Sequence, residues 1–284
     1  MIPSQILQVV SLGSSYAAGP GIPPQVEPYA AIRSGNNYGS LLAQELGANH
    51  IDLTVSGATL LNILSEPQTT VLDNQTFPPQ ISMLPEDADV VTITAGGNDF
   101  GYISGMLIDA WKDSKPGNLT ATLGDNASQS ISALESQPAP QEPNLSPEKL
   151  SQRLGNALDS IHERAPKARV FLVEYIAVLG PVTQPGVDVP FNQSKIDIYS
   201  QMADVLHNAY KLAAKTRVGW CERVPMHSLG SAHVLGSKKP WVQAFKVSDS
   251  VFVQAGAFHP NLDGMKAVAS ILVSRVQGST LKEE

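Results

Sequence analysis

An α/β fold, with a parallel sheet covered by helices on both faces, is predicted by three features of the 284-residue sequence. Short apolar runs of strand length alternate with longer segments whose apolar residues recur at helical spacing. Several of the runs end in clusters of small and polar residues, and apolar residues make up 42% of the chain, enough to fill a sizeable core. Such alternation places helices on the crossovers, which makes neighbouring strands parallel and buries both faces of the sheet.

The first strand is read in "ILQVVSL" (6–12), closed by Gly13. "NYGSLLAQELG" follows as a helix with Tyr38, Leu41, Leu42 and Leu46 on one face and Gly47 as its stop. "IDLTV" (51–55) and "DVVTIT" (89–94) are the second and third strands, ending at "SGAT" and "AGGND". In "SPEKLSQRLGNALDSIHERAP", Ser146 suits an N-cap and Pro147 the first turn, while Leu150, Leu154, Ala157, Leu158 and Ile161 repeat at helical spacing. "RVFLVE" (169–174) is the fourth strand, residues 196–215 an amphipathic helix and "RVGWC" (217–221) the fifth strand. The closing helix, "GMKAVASILVSRV", shows Met265, Val268, Ala269, Leu272 and Val276 on one face. A single domain over 1–284 is the reading, with insertions near 100–147 and 178–195, the stretch 128–147 being compositionally biased.

Composition excludes several function classes. A net charge of −7 without clustered Lys and Arg argues against a nucleic-acid surface. No apolar run is long enough to span a membrane. The lone Cys221 excludes an internal disulfide and a cysteine-rich metal site, and reads as a buried strand residue. No His, Asp and Glu cluster has zinc-like spacing, so neither a metal nor a cofactor is expected. His162 and His207 fall on helices, and His227 and His233 in a loop without ligand spacing. The expected state is a monomer. "MIPSQILQVV" has no basic start and runs straight into a strand, which predicts a cytoplasmic chain if residue 1 is the native start. Five Asn-x-Ser/Thr sequons, at Asn74, Asn118, Asn126, Asn144 and Asn192, favour the alternative of secretion after removal of a leader.

In open α/β sheets the site lies beyond the carboxyl ends of the strands, so the residues after each strand carry the functional signal. Strand one ends in Gly13-Ser14-Ser15, strand two in Ser56-Gly57-Ala58-Thr59, strand three in Gly96-Gly97-Asn98-Asp99, and the loop before the last helix carries "AGAFHPN" with His259. Serine, glycine, asparagine and histidine thus converge on one edge, and their chemistry fits acyl transfer. A serine hydroxyl needs a base to take its proton, and imidazole suits that task. The tetrahedral intermediate needs preorganised donors: the N–H of Ser15, the N–H of Gly57 and the side-chain amide of Asn98 fit that role, each worth about 3 kcal/mol. A dinucleotide loop is a poorer reading, because "GSSYAAGPG" lacks the G-x-G-x-x-G spacing.

Four blocks, "SLGSSYAAG", "SGAT", "TAGGND" and "FHPN", stand in order along essentially the whole chain, and together they resemble the SGNH hydrolase superfamily of GDSL lipases and esterases. The resemblance implies a three-layer, flavodoxin-like α/β/α fold with a five-stranded sheet in order 2-1-3-4-5, and metal-free hydrolysis of small-molecule, lipid or carbohydrate esters. It assigns Ser15 as nucleophile, Gly57 and Asn98 as oxyanion donors and His259 as general base.

Two positions depart from the family pattern. Gly-Asp-Ser reads Gly13-Ser14-Ser15, for which a local effect is expected, and the aspartate usually found three residues before the histidine is replaced by Gly256. The imidazole is then oriented by a backbone carbonyl in a Ser15–His259 dyad, or by a displaced carboxylate of Glu174, Asp249 or Asp263; otherwise the chain is a non-catalytic binding protein. The dyad is the preferred reading: losing the acid of a triad costs about 10^4-fold in kcat where geometry depends on it, yet substantial catalysis over water survives. An acyltransferase or lactone-forming enzyme would use the same acyl-serine, with a lid built from the two insertions, including Tyr102, Trp111 and Phe191, to exclude water.

Overall fold

The computed structural model describes residues 6–70, 73–114, 145–246 and 255–278, and its centre is a sheet of five parallel strands. Strand β1 (Gln8–Gly13) lies between β2 (Asn49–Asp52) and β3 (Val90–Thr94). Outside β3 come β4 (Arg169–Val173) and β5 (Cys221–Val224), so the order is β2-β1-β3-β4-β5. Register pairs Val9 with Val90 and Val91 with Val170, stacking branched side chains along the middle strands, where all of β3 is buried. This is the α/β architecture that the alternating pattern predicts.

The helices are α1 (Ser15–Ala18), α2 (Tyr38–Leu46), α3 (Leu60–Leu64), α4 (Tyr102–Asp113), α5 (Pro147–Arg164), α6 (Gln193–Lys215), α7 (Met226–Leu229) and α8 (Leu262–Val276). Helix α2 packs on α8 and α5 on α6. With right-handed crossovers, the β1→β2 and β3→β4→β5 connections run in opposite directions and cover opposite faces. The strand order reverses between β1 and β3, and in open α/β sheets sites form at the carboxyl ends of the strands flanking such a switch point.

Local chemistry explains most boundaries. The Ser146 hydroxyl accepts the Lys149 N–H with Pro147 in the first turn of α5, as its sequence predicts. Helix α6 starts at Gln193, earlier than the apolar periodicity indicates, because Asn192 caps it by accepting the Lys195 N–H. Strand β2 spans Asn49–Asp52 rather than 51–55, and β5 begins where the expected strand ends. Cys221 opens β5 and is buried. Residues 217–220 are a turn in which Val218 is 83% exposed, so its apolar letter does not mark a strand.

The expected insertion over 100–147 contains α4, and residues 115–144 lie outside the described residues, as do Asn118, Asn126, Asn144 and Asp249. Of the sequons in the described residues, Asn74 is exposed in a turn and Asn192 is the α6 cap. Of the aromatic residues in the two expected insertions, Tyr102, Trp111 and Phe191 are buried. A partly buried polar cluster joins Ser11 Oγ to His50 Nε2 at 3.0 Å, with Thr92 donating to Ser11 at 3.1 Å and Ser40 Oγ 3.3 Å from His50 Nδ1. Among the described residues no helix is long and apolar enough to cross a membrane, and no group of three His, Cys, Asp or Glu side chains has metal-binding geometry.

Candidate active site

The chain leaves β1 through Gly13, whose φ of +137° and whose missing side chain are both required, since a Cβ there would meet the Thr94 carbonyl oxygen at 2.3 Å. Gln80 clamps this residue, accepting the Gly13 N–H at 2.8 Å and donating to its carbonyl at 3.0 Å. Ser14 is the N-cap of α1 and Ser15 its first residue. A first-turn N–H has no intrahelical acceptor, which leaves the Ser15 amide available to a ligand.

His259 reaches Ser15 from the loop ahead of α8. Its Nε2 lies 2.7 Å from Ser15 Oγ and its Nδ1 2.9 Å from the Ala257 carbonyl oxygen. A carbonyl only accepts, so Nδ1 carries the proton and Nε2 presents its lone pair to the serine hydroxyl. Ser15 is 9% and His259 3% exposed. Burial lowers the His259 pKa to about 4, against a smaller upward pull from the Ala257 carbonyl.

Glu174 has other partners. Its buried carboxylate accepts from Arg223 Nη1 and from the His227 backbone N–H at 3.2 Å, and lies 3.3 Å from His207 Nδ1. It is therefore not the carboxylate that orients His259. Asp263 is exposed in the first turn of α8. Position 256 has no room for an acid either: a Cβ there would stand 2.7 Å from Gln243 Oε1 and 3.0 Å from both the Pro20 carbonyl and Gly21 Cα.

The glycine and asparagine blocks are joined directly. Asn98 Nδ2 donates to the Ala58 carbonyl at 2.9 Å, which leaves its second hydrogen for another acceptor. Asp99 accepts the Leu60 N–H at 3.1 Å at the start of α3. Gly57 is exposed with a φ of +87°. Asp99 is itself mostly buried, and its pKa is raised to about 6 by that burial.

The GDSL-like lipase/acylhydrolase family model matches residues 11–267. The chain belongs to that family. A lipase of Streptomyces coelicolor is 37% identical over 98 residues, a match that spans 33% of this chain and 30% of that relative. An extracellular lipase of Streptomyces rimosus superposes with a TM-score of 0.64 at 20% identity, covering 96% of this chain and all of that one. A phospholipase A1 of Streptomyces albidoflavus superposes with a TM-score of 0.67 at 18% identity, covering 97% and 100%.

In this GDSL-family chain, several supporting residues carry no catalytic signature in the sequence. Ala257 acts through its carbonyl, which every residue type possesses. Gln243 exchanges backbone bonds of 2.8 Å with Phe258 and His259, and its amide donates to the Pro20 and Pro260 carbonyls at 3.0 and 3.1 Å, tying the histidine loop to the serine loop. Tyr16, next to Ser15 in the sequence, donates its hydroxyl to the Phe258 carbonyl at 2.7 Å.

Proposed function

We propose that the protein is a serine hydrolase of carboxylic esters that works through a Ser15–His259 dyad. The observation that supports this most is the pair of bonds on the imidazole, 2.7 Å to Ser15 Oγ and 2.9 Å to the Ala257 carbonyl, which fixes the tautomer a general base needs. His259 Nε2 takes the hydroxyl proton as Ser15 Oγ attacks the acyl carbon. The N–H groups of Ser15 and Gly57 and the free amide hydrogen of Asn98 receive the oxyanion. The imidazolium then protonates the departing alkoxide, the alcohol leaves, and the acyl group stays on Ser15. Water, deprotonated by Nε2, attacks that ester, and collapse returns the proton to Ser15 as the acid leaves. The Ala257 carbonyl dipole faces the imidazolium.

The near-complete burial of both dyad residues favours one second reading, in which an alcohol replaces water as acceptor of the acyl group. One experiment tests both. The wild type is treated with a fluorophosphonate and with p-nitrophenyl esters of increasing chain length, with and without added alcohol. Ser15→Ala is expected to abolish labelling and turnover in a folded protein, and Asn98→Ala to lower kcat by about 10^2 to 10^3 with little change in KM. A new ester formed in preference to free acid identifies acyl transfer. A wild type that is neither labelled nor active on any ester is a binding protein.

A further inference from the structure

Two tyrosine hydroxyls close the distance between loops that the proposed chemistry needs to keep in register. Tyr16, next to Ser15, donates to the carbonyl of Phe258, next to His259, at 2.7 Å. The Ser15–His259 bond and the Tyr16–Phe258 bond therefore run side by side between the same two loops. Phe258 needs holding: it is a non-glycine residue at φ +63°, a conformation that persists only where its surroundings over-determine it. Its N–H donates to the Gln243 carbonyl at 2.8 Å, its ring lies between Phe191 and Phe245 at centroid distances of 6.1 Å, and Tyr16 supplies the bond on its carbonyl side. Ala257 and His259 flank this residue, so its backbone angles aim both the orienting carbonyl and the imidazole.

Tyr175, the second residue beyond β4, does the same for the asparagine loop. Its hydroxyl accepts the Gly97 N–H at 3.2 Å and lies 3.0 Å from Ser14 Oγ. A Cβ on Gly97 would enter the Tyr175 ring at 2.9 Å, so the glycine allows this close approach. The bonds fit one continuous chain, from Gly97 N–H to the Tyr175 hydroxyl, to Ser14 Oγ and on to the Thr94 carbonyl at 3.5 Å. The Tyr16 and Tyr175 rings are in contact, with centroids 4.2 Å apart, and both are buried.

We infer that Tyr16 and Tyr175 are positioning residues, a hydrogen-bonded frame that holds the serine, asparagine and histidine loops in register and so keeps the Ala257 carbonyl aimed at the imidazole. The inference rests on the hydrolase reading for its kinetic consequence, and its structural consequence is measured separately. Tyr16→Phe keeps the ring and removes only the hydroxyl. With p-nitrophenyl acetate, kcat is expected to fall tenfold or more with KM within twofold, and the rate of fluorophosphonate labelling to fall by the same factor. Tyr175→Phe is expected to act in the same direction, and it carries the test if Tyr16→Phe does not fold. Proton NMR of the His259 Nδ1–H gives a readout independent of turnover: a protected resonance is expected in the wild type, and its loss to exchange in Tyr16→Phe. A folded variant with kcat and labelling within twofold of wild type, or with an unchanged Nδ1–H resonance, overturns the frame. If the wild type hydrolyses no ester, the hydrolase reading falls, and the resonance alone decides the frame.

Discussion

At His259, burial has a consequence that pH reveals. The imidazole acts as a base only when neutral, and burial holds its pKa down to about 4, so it stays unprotonated through mildly acidic conditions. The acidic limb of kcat/KM, which reports the free enzyme, is expected near pH 4 instead of near the ordinary histidine value of about 6.5. A profile measured from pH 3.5 to 8 checks this; a limb above pH 6 would mean that an anion stabilises the imidazolium after all. Legibility at this scale was uneven. Ser15 and His259 stand in motifs and come within 2.7 Å of each other, whereas the group bonded to His259 Nδ1 is a main-chain oxygen with no letter of its own. Glu174 looked suitable from its place at a strand end, but Arg223 on the neighbouring strand lies closer to it in space than any motif indicates.

At the level of elements, the asparagine of "FHPN" finds its role as a cap. Asn261 accepts the Gly264 N–H at 2.9 Å at the start of α8, while its amide donates to the Pro240 carbonyl at 2.7 Å. Asn261→Ala is expected to cost about 1–2 kcal/mol of stability, the usual range for a lost N-cap with an added buried bond, read as a lower urea midpoint. An unchanged midpoint would show that α8 is held by packing alone. The fully covered strands were legible because burial on both faces demands continuous apolar runs, as in "QVVSLG" and "VVTIT". Edge strand β5 was not: Glu222 pairs with Arg275 and Arg223 with Glu174, so "CERV" is polar where a strand reader looks for valines. Helix α4 was hidden by its position inside a stretch read as insertion, although its buried Ile103, Met106, Leu107 and Ala110 repeat at helical spacing.

For the molecule as a whole, two buried groups in the loops beyond the strands make opposing demands on pH. His259, with its pKa lowered to about 4, contributes stability that is present above pH 6.5 and lost as pH falls toward 4. Asp99, with its pKa raised from 3.8 to about 6, favours folding at low pH and loses that contribution as pH rises through 6. Between pH 4 and 6 the unfolded chain gains a proton at the histidine while the folded one keeps a proton at the aspartate, so the two contributions cancel. His259→Ala removes one side of the balance. Relative to wild type, the variant is expected to gain about 2–3 kcal/mol of stability at pH 4.5 compared with pH 7.5, measured by urea unfolding at both values. A pH-independent difference would show that His259 titrates alike in the folded and unfolded chains.

The Ser11–His50 pair turns the molecule into its own negative control. Its 3.0 Å contact is nearly as close as that of Ser15 with His259, yet Ser11 is 1% exposed within the sheet and has no path for an acyl group. Proximity of imidazole to hydroxyl is therefore held constant between two serines of one strand-and-turn segment, while access differs. Both residues fall in the same tryptic peptide, which ends at Arg33, so mass alone cannot separate them and backbone fragmentation has to assign the adduct. An adduct carried by Ser15 with Ser11 untouched would demonstrate, inside one peptide, that the nucleophile is chosen by its position in the turn beyond β1 and not by the histidine beside it.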